Sequence, residues 1–226
     1  MKYASLTIHK LKYKLPTPIS IATYTWTHLE TILVKLHYDN FVGIGEAAPF
    51  AGMTGETYDY VISQLQNFRN CSVNPTAEPE VFYRQLQNNI TSRHAAAALD
   101  GAYHDLIGKM SNKPVYRLFN DEKHLTPNSL TIPILGLEET KLFVLELHKN
   151  HPHVKLIKIK IDNTEINTEI AKAIKEVFVE NVSFVIDPNQ CFKDSQQAVQ
   201  VLRDMQKQLR NIIAIEQPVE KHDYQG

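Results

Sequence analysis

Four charged side chains in the second half of this 226-residue chain stand where they could hold a hard divalent cation beside a pair of amines. Lys158 and Lys160 alternate with isoleucines in Leu156-Ile157-Lys158-Ile159-Lys160-Ile161-Asp162. Asp187 closes the apolar run Phe184-Val185-Ile186, and Glu216 closes Ile212-Ile213-Ala214-Ile215. If the lysine segment is a strand, period two puts Ile157, Ile159 and Ile161 on one face and Lys158, Lys160 and Asp162 on the other. Ammonium groups turned toward an interior are costly unless compensated. Carboxylates at the ends of neighbouring strands would supply that compensation, and their oxygens suit Mg²⁺. Taken singly, the lysines could line a solvated edge strand, Asp187 could cap a helix and Glu216 could serve as a lysine counter-ion. Their joint placement favours the metal site.

The elements that must position these groups repeat regularly. Strand-like segments fall at Thr131 to Leu135, Leu156 to Asp162, Phe184 to Pro188 and Ile212 to Glu216, with centres 26 to 28 residues apart. Helical stripes lie between them, one at Ile166, Ile170, Ala173, Ile174 and Val177, another at Ala198, Val201, Leu202, Met205 and Leu209. Units of this size suit a (β/α) barrel or a doubly wound sheet. No glycine-rich phosphate loop follows any of these strands, which weakens a dinucleotide-binding reading. In a barrel, residues at the C-terminal strand ends carry the chemistry, and Asp187 and Glu216 are at that end.

The first 126 residues follow a different plan. Alternation from Tyr3 to Lys14 and from Thr31 to Tyr38 predicts strands, and Asp39-Asn40 predicts a turn into a third strand over Phe41 to Glu46. Pro16 to Thr27 reads as a loop able to touch a ligand, and Pro49 to Gly55 as a mobile connection. Helical spacing follows at Tyr58 to Leu65, at Val81 to Leu86 and over the alanine-rich Ser92 to Gly108. The expectation is an α+β capping domain over 1–126 and a barrel-type domain over 127–226.

Composition narrows the partners. With 24 basic and 25 acidic residues the formal net charge is -1, so nothing favours nucleic acid or an anionic membrane surface. No apolar run approaches the roughly 20 residues of a membrane-spanning helix. No signal region is visible at the N-terminus, and two cysteines cannot make a disulfide framework, so a cytoplasmic protein is expected. His148, His151 and His153 read as a solvated loop rather than a metal site, the Asn-x-Ser/Thr triplets at Asn70, Asn89 and Asn181 matter only after secretion, and Cys191 reads as packing.

In order and spacing, Gly43-Ile44-Gly45-Glu46-Ala47, Ala98 to Lys109, Thr131-Ile132, Lys158-x-Lys160, Asp187-Pro188-Asn189-Gln190 and Glu216-Gln217-Pro218 resemble the enolase superfamily. The resemblance is to the muconate lactonizing enzyme subgroup, and within it most to dipeptide epimerases of the L-Ala-D/L-Glu type. It implies proton abstraction α to a carboxylate, with Mg²⁺ on Asp187 and Glu216 stabilising the enediolate. Lys160 would be the base, and Lys158 would lower its pKa by like-charge proximity. Thr131 and the regions of Tyr24-Thr25 and Met53-Thr54 would contact a dipeptide or acyl-amino acid substrate. Muconate cycloisomerases, o-succinylbenzoate synthases and N-acylamino acid racemases share the scaffold and remain alternatives.

The sequence departs from that pattern in one respect. The family needs a third carboxylate after the fifth barrel strand and, for epimerisation, a second lysine late in the barrel. At about 27 residues per unit, Thr131 to Gly226 accounts for about four of eight βα units. The expectation is therefore an incomplete barrel that belongs to a longer enzyme. A homo-oligomer in which a second copy completes the barrel, and a non-catalytic half-barrel binding module, are the competing explanations.

Overall fold

The computed structural model describes residues 3–21, 24–120, 122, 128–178 and 181–223, with the side chains of 17–21 excepted. The residues group into two compact units, 1–16 with 27–124 and 17–26 with 125–226. The expected domain boundary between 126 and 127 lies outside the described residues.

The N-terminal alternation forms a three-stranded sheet in the order β1 (Ser5–Ile21), β2 (Tyr24–Tyr38), β3 (Phe41–Ala47). Ile32, Val34 and Leu36 are fully buried on one face. β2 and β3 pair antiparallel from Tyr38↔Phe41 to Ile32↔Ala47, around a turn in which Asp39 is left-handed at φ 51°. Strand structure runs through most of the segment read as the Pro16–Thr27 loop; residues 22 and 23 lie outside the described residues. Pro16 and Pro18 are tolerated because β1 is an edge strand, where a missing N–H need not break a ladder. The Pro49–Gly55 connection is likewise more ordered than its composition suggests. It holds a single helical turn, α1 (Ala51–Thr54), closed by Gly55 at φ 74°.

Helices α2 (Tyr58–Phe68), α3 (Pro79–Asn89) and α4 (Arg93–Met110) follow. The alanines of α4 and the glycines of β3 are explained together. A Cβ at Gly45 would stand 1.9 Å from the Ala98 carbonyl oxygen, and one at Gly43 would stand 2.0 Å from that of Ala102. Strand and helix backbones thus touch, and Ala95, Ala98 and Ala102 are fully buried in the contact. Asp105 of α4 accepts the Ile44 N–H at 2.8 Å, and Lys109 donates to the Val42 carbonyl at 2.8 Å, so side chains of α4 satisfy the exposed edge of β3.

The start of α4 is held by Glu56. Ser92 caps the helix by accepting from the Ala95 N–H at 3.0 Å and donates to Glu56 at 2.5 Å. Glu56 also accepts from the Arg93 N–H at 2.8 Å and contacts the His94 ring at 3.0 Å. Burial alone would push this carboxyl up; the bonds from Ser92, Arg93 and His94 outweigh it and bring it down to about 2.

In the second unit, β4 (Ser129–Ile132), β5 (Leu156–Lys160), β6 (Ser183–Asp187) and β7 (Ile212–Ile215) form a parallel sheet in that order. Helices α5 (Leu137–Asn150), α6 (Asn167–Val177) and α7 (Ser195–Gln208) connect them. This is the partial barrel expected from the repeat. β4 ends three residues short of the predicted Leu135, because Pro133 has no N–H to give to a ladder. Ile157, Ile159 and Ile186 are fully buried in a core with Val144, Ile174 and Met205. On β7 the corresponding face is open, with Ile213 59% and Ile215 46% exposed. Among the described residues, no helix is long and apolar enough to cross a membrane.

Two outcomes test this packing. Gly45→Ala should lose about 3 kcal/mol of stability in urea unfolding, since backbone atoms cannot give way to the new methyl. The depressed Glu56 stabilises the fold above pH 4.5, and that contribution should be lost as pH falls from about 4.5 to about 2. Thermal melting against pH should show a shallower acid limb in Glu56→Gln than in the parent.

Candidate active site

Parallel register brings the candidate residues into two adjacent rows on the sheet face opposite the isoleucines. Thr131 pairs with Lys158, and Lys158 with Val185. One pleat further toward the C-terminal strand ends, Lys160 pairs with Asp187. Glu216 follows directly after the Ile186↔Ile215 pair, and its N–H donates to the Ile186 carbonyl at 2.8 Å. Residues 58 positions apart in sequence therefore meet at one end of the sheet.

Lys158 Nζ lies 2.7 Å from Asp187 Oδ2 and 2.7 Å from Glu216 Oε2. Lys160 Nζ lies 3.4 Å from the same Asp187 oxygen and donates to Asn189 Oδ1 at 3.3 Å. The Asp187 side chain is only 5% exposed, whereas that of Glu216 is 51% exposed. Partial burial pushes the Lys158 ammonium down, but Asp187 and then Glu216 outweigh it and hold it above its ordinary value. Burial likewise pushes Asp187 up, and its bond to Lys158, the Lys160 charge and the Asn189 N–H carry it below the ordinary carboxylate range.

This geometry alters one expectation. The like-charge repulsion read from Lys-x-Lys is offset, because Asp187 approaches both ammonium groups. The helix-cap alternative for Asp187 is excluded, since Asp194 caps α7 through the Gln197 N–H at 2.8 Å. Asp187 accepts instead from the Asn189 N–H at 3.1 Å. The counter-ion role weighed for Glu216 is present as its bond to Lys158.

Sequence reasoning did not assign Asn189, although Asp-Pro-Asn was visible. It is the residue that takes the Lys160 hydrogen bond, and it sits with Gln190 and Gln217 in left-handed backbone at φ 51°, 63° and 42°. The Gln190 N–H donates to the Gln217 carbonyl at 2.9 Å, which ties the segment after β6 to the segment after β7. Such backbone persists in non-glycine residues only where surrounding bonds enforce it.

The other predicted contacts lie elsewhere in the units. Tyr24, half exposed, meets Trp26 edge-on at 4.9 Å. Thr25, the neighbour of both, is exposed on β2. Met53 and Thr54 border an open cavity of about 590 Å³ with Glu56, Arg93 and His94. Cys191 is partly buried, and desolvation followed by the Asp162 charge raises its thiol to about 11. That supports packing over nucleophilic chemistry.

Two carboxylates that both reach one ammonium at 2.7 Å present oxygens converging on a cation position. The donor set fits Mg²⁺, which takes oxygens at about 2.1 Å and is commonly held by one or two carboxylates with the remaining positions left to water or substrate. Among the described residues, no group of three His, Cys, Asp or Glu side chains could hold a metal.

Known proteins resemble this chain in sequence and fold. Residues 4–119 match the family described as mandelate racemase / muconate lactonizing enzyme, N-terminal domain. A hydrophobic dipeptide epimerase of Enterococcus faecalis is 29% identical over the whole chain, which covers 64% of that protein. The structure of a dipeptide epimerase from Enterococcus faecalis V583 complexed with Mg and L-Leu-L-Tyr superposes with TM-score 0.84 at 25% identity, covering 99% of this chain and 63% of that one. The substrate-liganded L-Ala-D/L-Glu epimerase from Bacillus subtilis gives 0.83 at 25%, covering 99% and 63%. The chain thus spans less than two thirds of the length of these relatives.

At pH 8, iodoacetamide should label Cys191 about 100-fold more slowly than an ordinary thiol, as its raised pKa leaves that much less thiolate. Peptide mass spectrometry against time measures the rate.

Proposed function

The chain belongs to the mandelate racemase / muconate lactonizing enzyme family, and from that premise we propose that it carries part of the active centre of a Mg²⁺-dependent dipeptide epimerase. The observation that carries the proposal is the convergence of Lys158, Lys160, Asp187 and Glu216 at the C-terminal ends of neighbouring parallel strands. Asp187 and Glu216 would hold the cation. When bound, Mg²⁺ would neutralise the negative charge that grows on a substrate carboxylate as the adjacent C–H bond breaks.

The chain's own residues do the rest. Lys160, in register with Asp187, takes the α-proton onto Nζ, leaving the bond's electron pair with the substrate. Asn189 orients that amine through its side-chain oxygen. Lys158 adds a positive charge on the same face, and Thr131, its strand neighbour, would meet substrate. Contacts from Tyr24, Thr25, Met53 and Thr54 to the substrate side chains rest on the family resemblance. Dipeptides are the favoured substrates because relatives acting on hydrophobic and on L-Ala-D/L-Glu dipeptides match over nearly the whole chain. A reducing, cytoplasmic setting suits the two free cysteines.

Incubating the whole protein with L-Ala-L-Glu and Mg²⁺ in D₂O should replace the α-proton of the glutamate residue by deuterium, followed by ¹H NMR. Lys160→Ala should slow this exchange by about 10²- to 10⁴-fold. Exchange at the parent rate in that variant would overturn the assignment of the base.

A further inference from the structure

We propose that Lys158 is a displaceable internal counter-ion: it holds Asp187 and Glu216 in the geometry of a cation site and leaves when the cation arrives. The inference rests on the metal-site reading above. Its basis is how differently the chain directs its two lysines. Lys160 is the one in register with Asp187, yet its Nζ stands 3.4 Å from that carboxylate and its hydrogen bond goes to Asn189. Lys158 starts one pleat further from the strand ends, beside Val185, and reaches up to touch both carboxylates at 2.7 Å. The nearer lysine is turned aside, and the farther one bridges.

The bridge answers two costs. Asp187, with 5% of its side chain exposed, would be a buried anion without a partner if nothing positive lay against it. Two carboxylates converging on one point also repel each other, so the open site would spread. An ammonium equidistant from both offsets each cost and fixes the spacing before any cation binds. It cannot stay once the cation is bound, because both positive groups need the same oxygens. Lysine suits such an exchange: its charge sits on a flexible four-carbon stem, and it forms no rigid fork with a carboxylate as arginine would. Cation binding and release of Lys158 are then a single exchange, with the freed ammonium left on the face it shares with Lys160.

The test compares the parent chain with Lys158→Met and Lys160→Met, using Mn²⁺ binding counted from the free-ion EPR signal and melting temperature with and without Mg²⁺. Lys158→Met should bind Mn²⁺ at least tenfold more tightly than the parent, and Lys160→Met should gain much less. Without divalent ions Lys158→Met should melt below the parent, and saturating Mg²⁺ should recover that loss. Should the methionine variant not fold without Mg²⁺, Lys158→Gln serves for the same comparison. A gain no larger than that of Lys160→Met, or no recovery by Mg²⁺, overturns the exchange while leaving the cation site standing. Absence of Mn²⁺ binding in all three proteins overturns the exchange and the metal reading together.

Discussion

The second unit depends on how a parallel sheet accommodates charge on a face that its own pleat turns away from the helices. The isoleucines of β5 take the helix-covered side, so Lys158 and Lys160 have no choice of face. Two partly buried ammonium groups on one strand would be unfavourable without nearby anions. Asp187, on the next strand, and Glu216, just past the one after, supply them. The ion cluster is thus both the condition for burying this strand and the chemical feature of the site.

The N-terminal unit is organised by the opposite economy, the removal of side chains. Glycines in β3 and alanines in α4 let two backbones touch, and Asp105 and Lys109 then satisfy the strand edge from the helix. Glu56 fixes the start of that same helix through Ser92 and the first free amides. Residues 4–119, which match the family's N-terminal domain, include every one of these contacts.

The chain spans less than two thirds of the length of the relatives it matches. The match covers 64% of the Enterococcus faecalis relative, and the exposed isoleucines of β7 mark the side on which the described sheet has no further strand. What the chain holds is a lysine pair, two carboxylates and an asparagine that orients one of the lysines. In the proposed function, these residues serve proton abstraction from one face of a substrate.

Much of this was legible in the sequence. Period-two alternation assigned faces to Lys158 and Lys160, the 26- to 28-residue repeat gave parallel βα units, and the apolar runs ending in Asp187 and Glu216 placed both at the C-terminal strand ends. These are local properties, set by side-chain direction along a strand and by the length of a crossover. Three matters needed the tertiary structure. Strand order within the Pro16–Thr27 region depends on β1 being an edge, which no local pattern states. The role of Asn189 depends on the left-handed backbone after β6, which hydrogen bonds from the segment after β7 help to hold. Which lysine bridges the carboxylates was also undecided, because spacing gives both the same face, whereas only the register and the reach of each side chain determine that Lys158 spans Asp187 and Glu216 while Lys160 turns to Asn189.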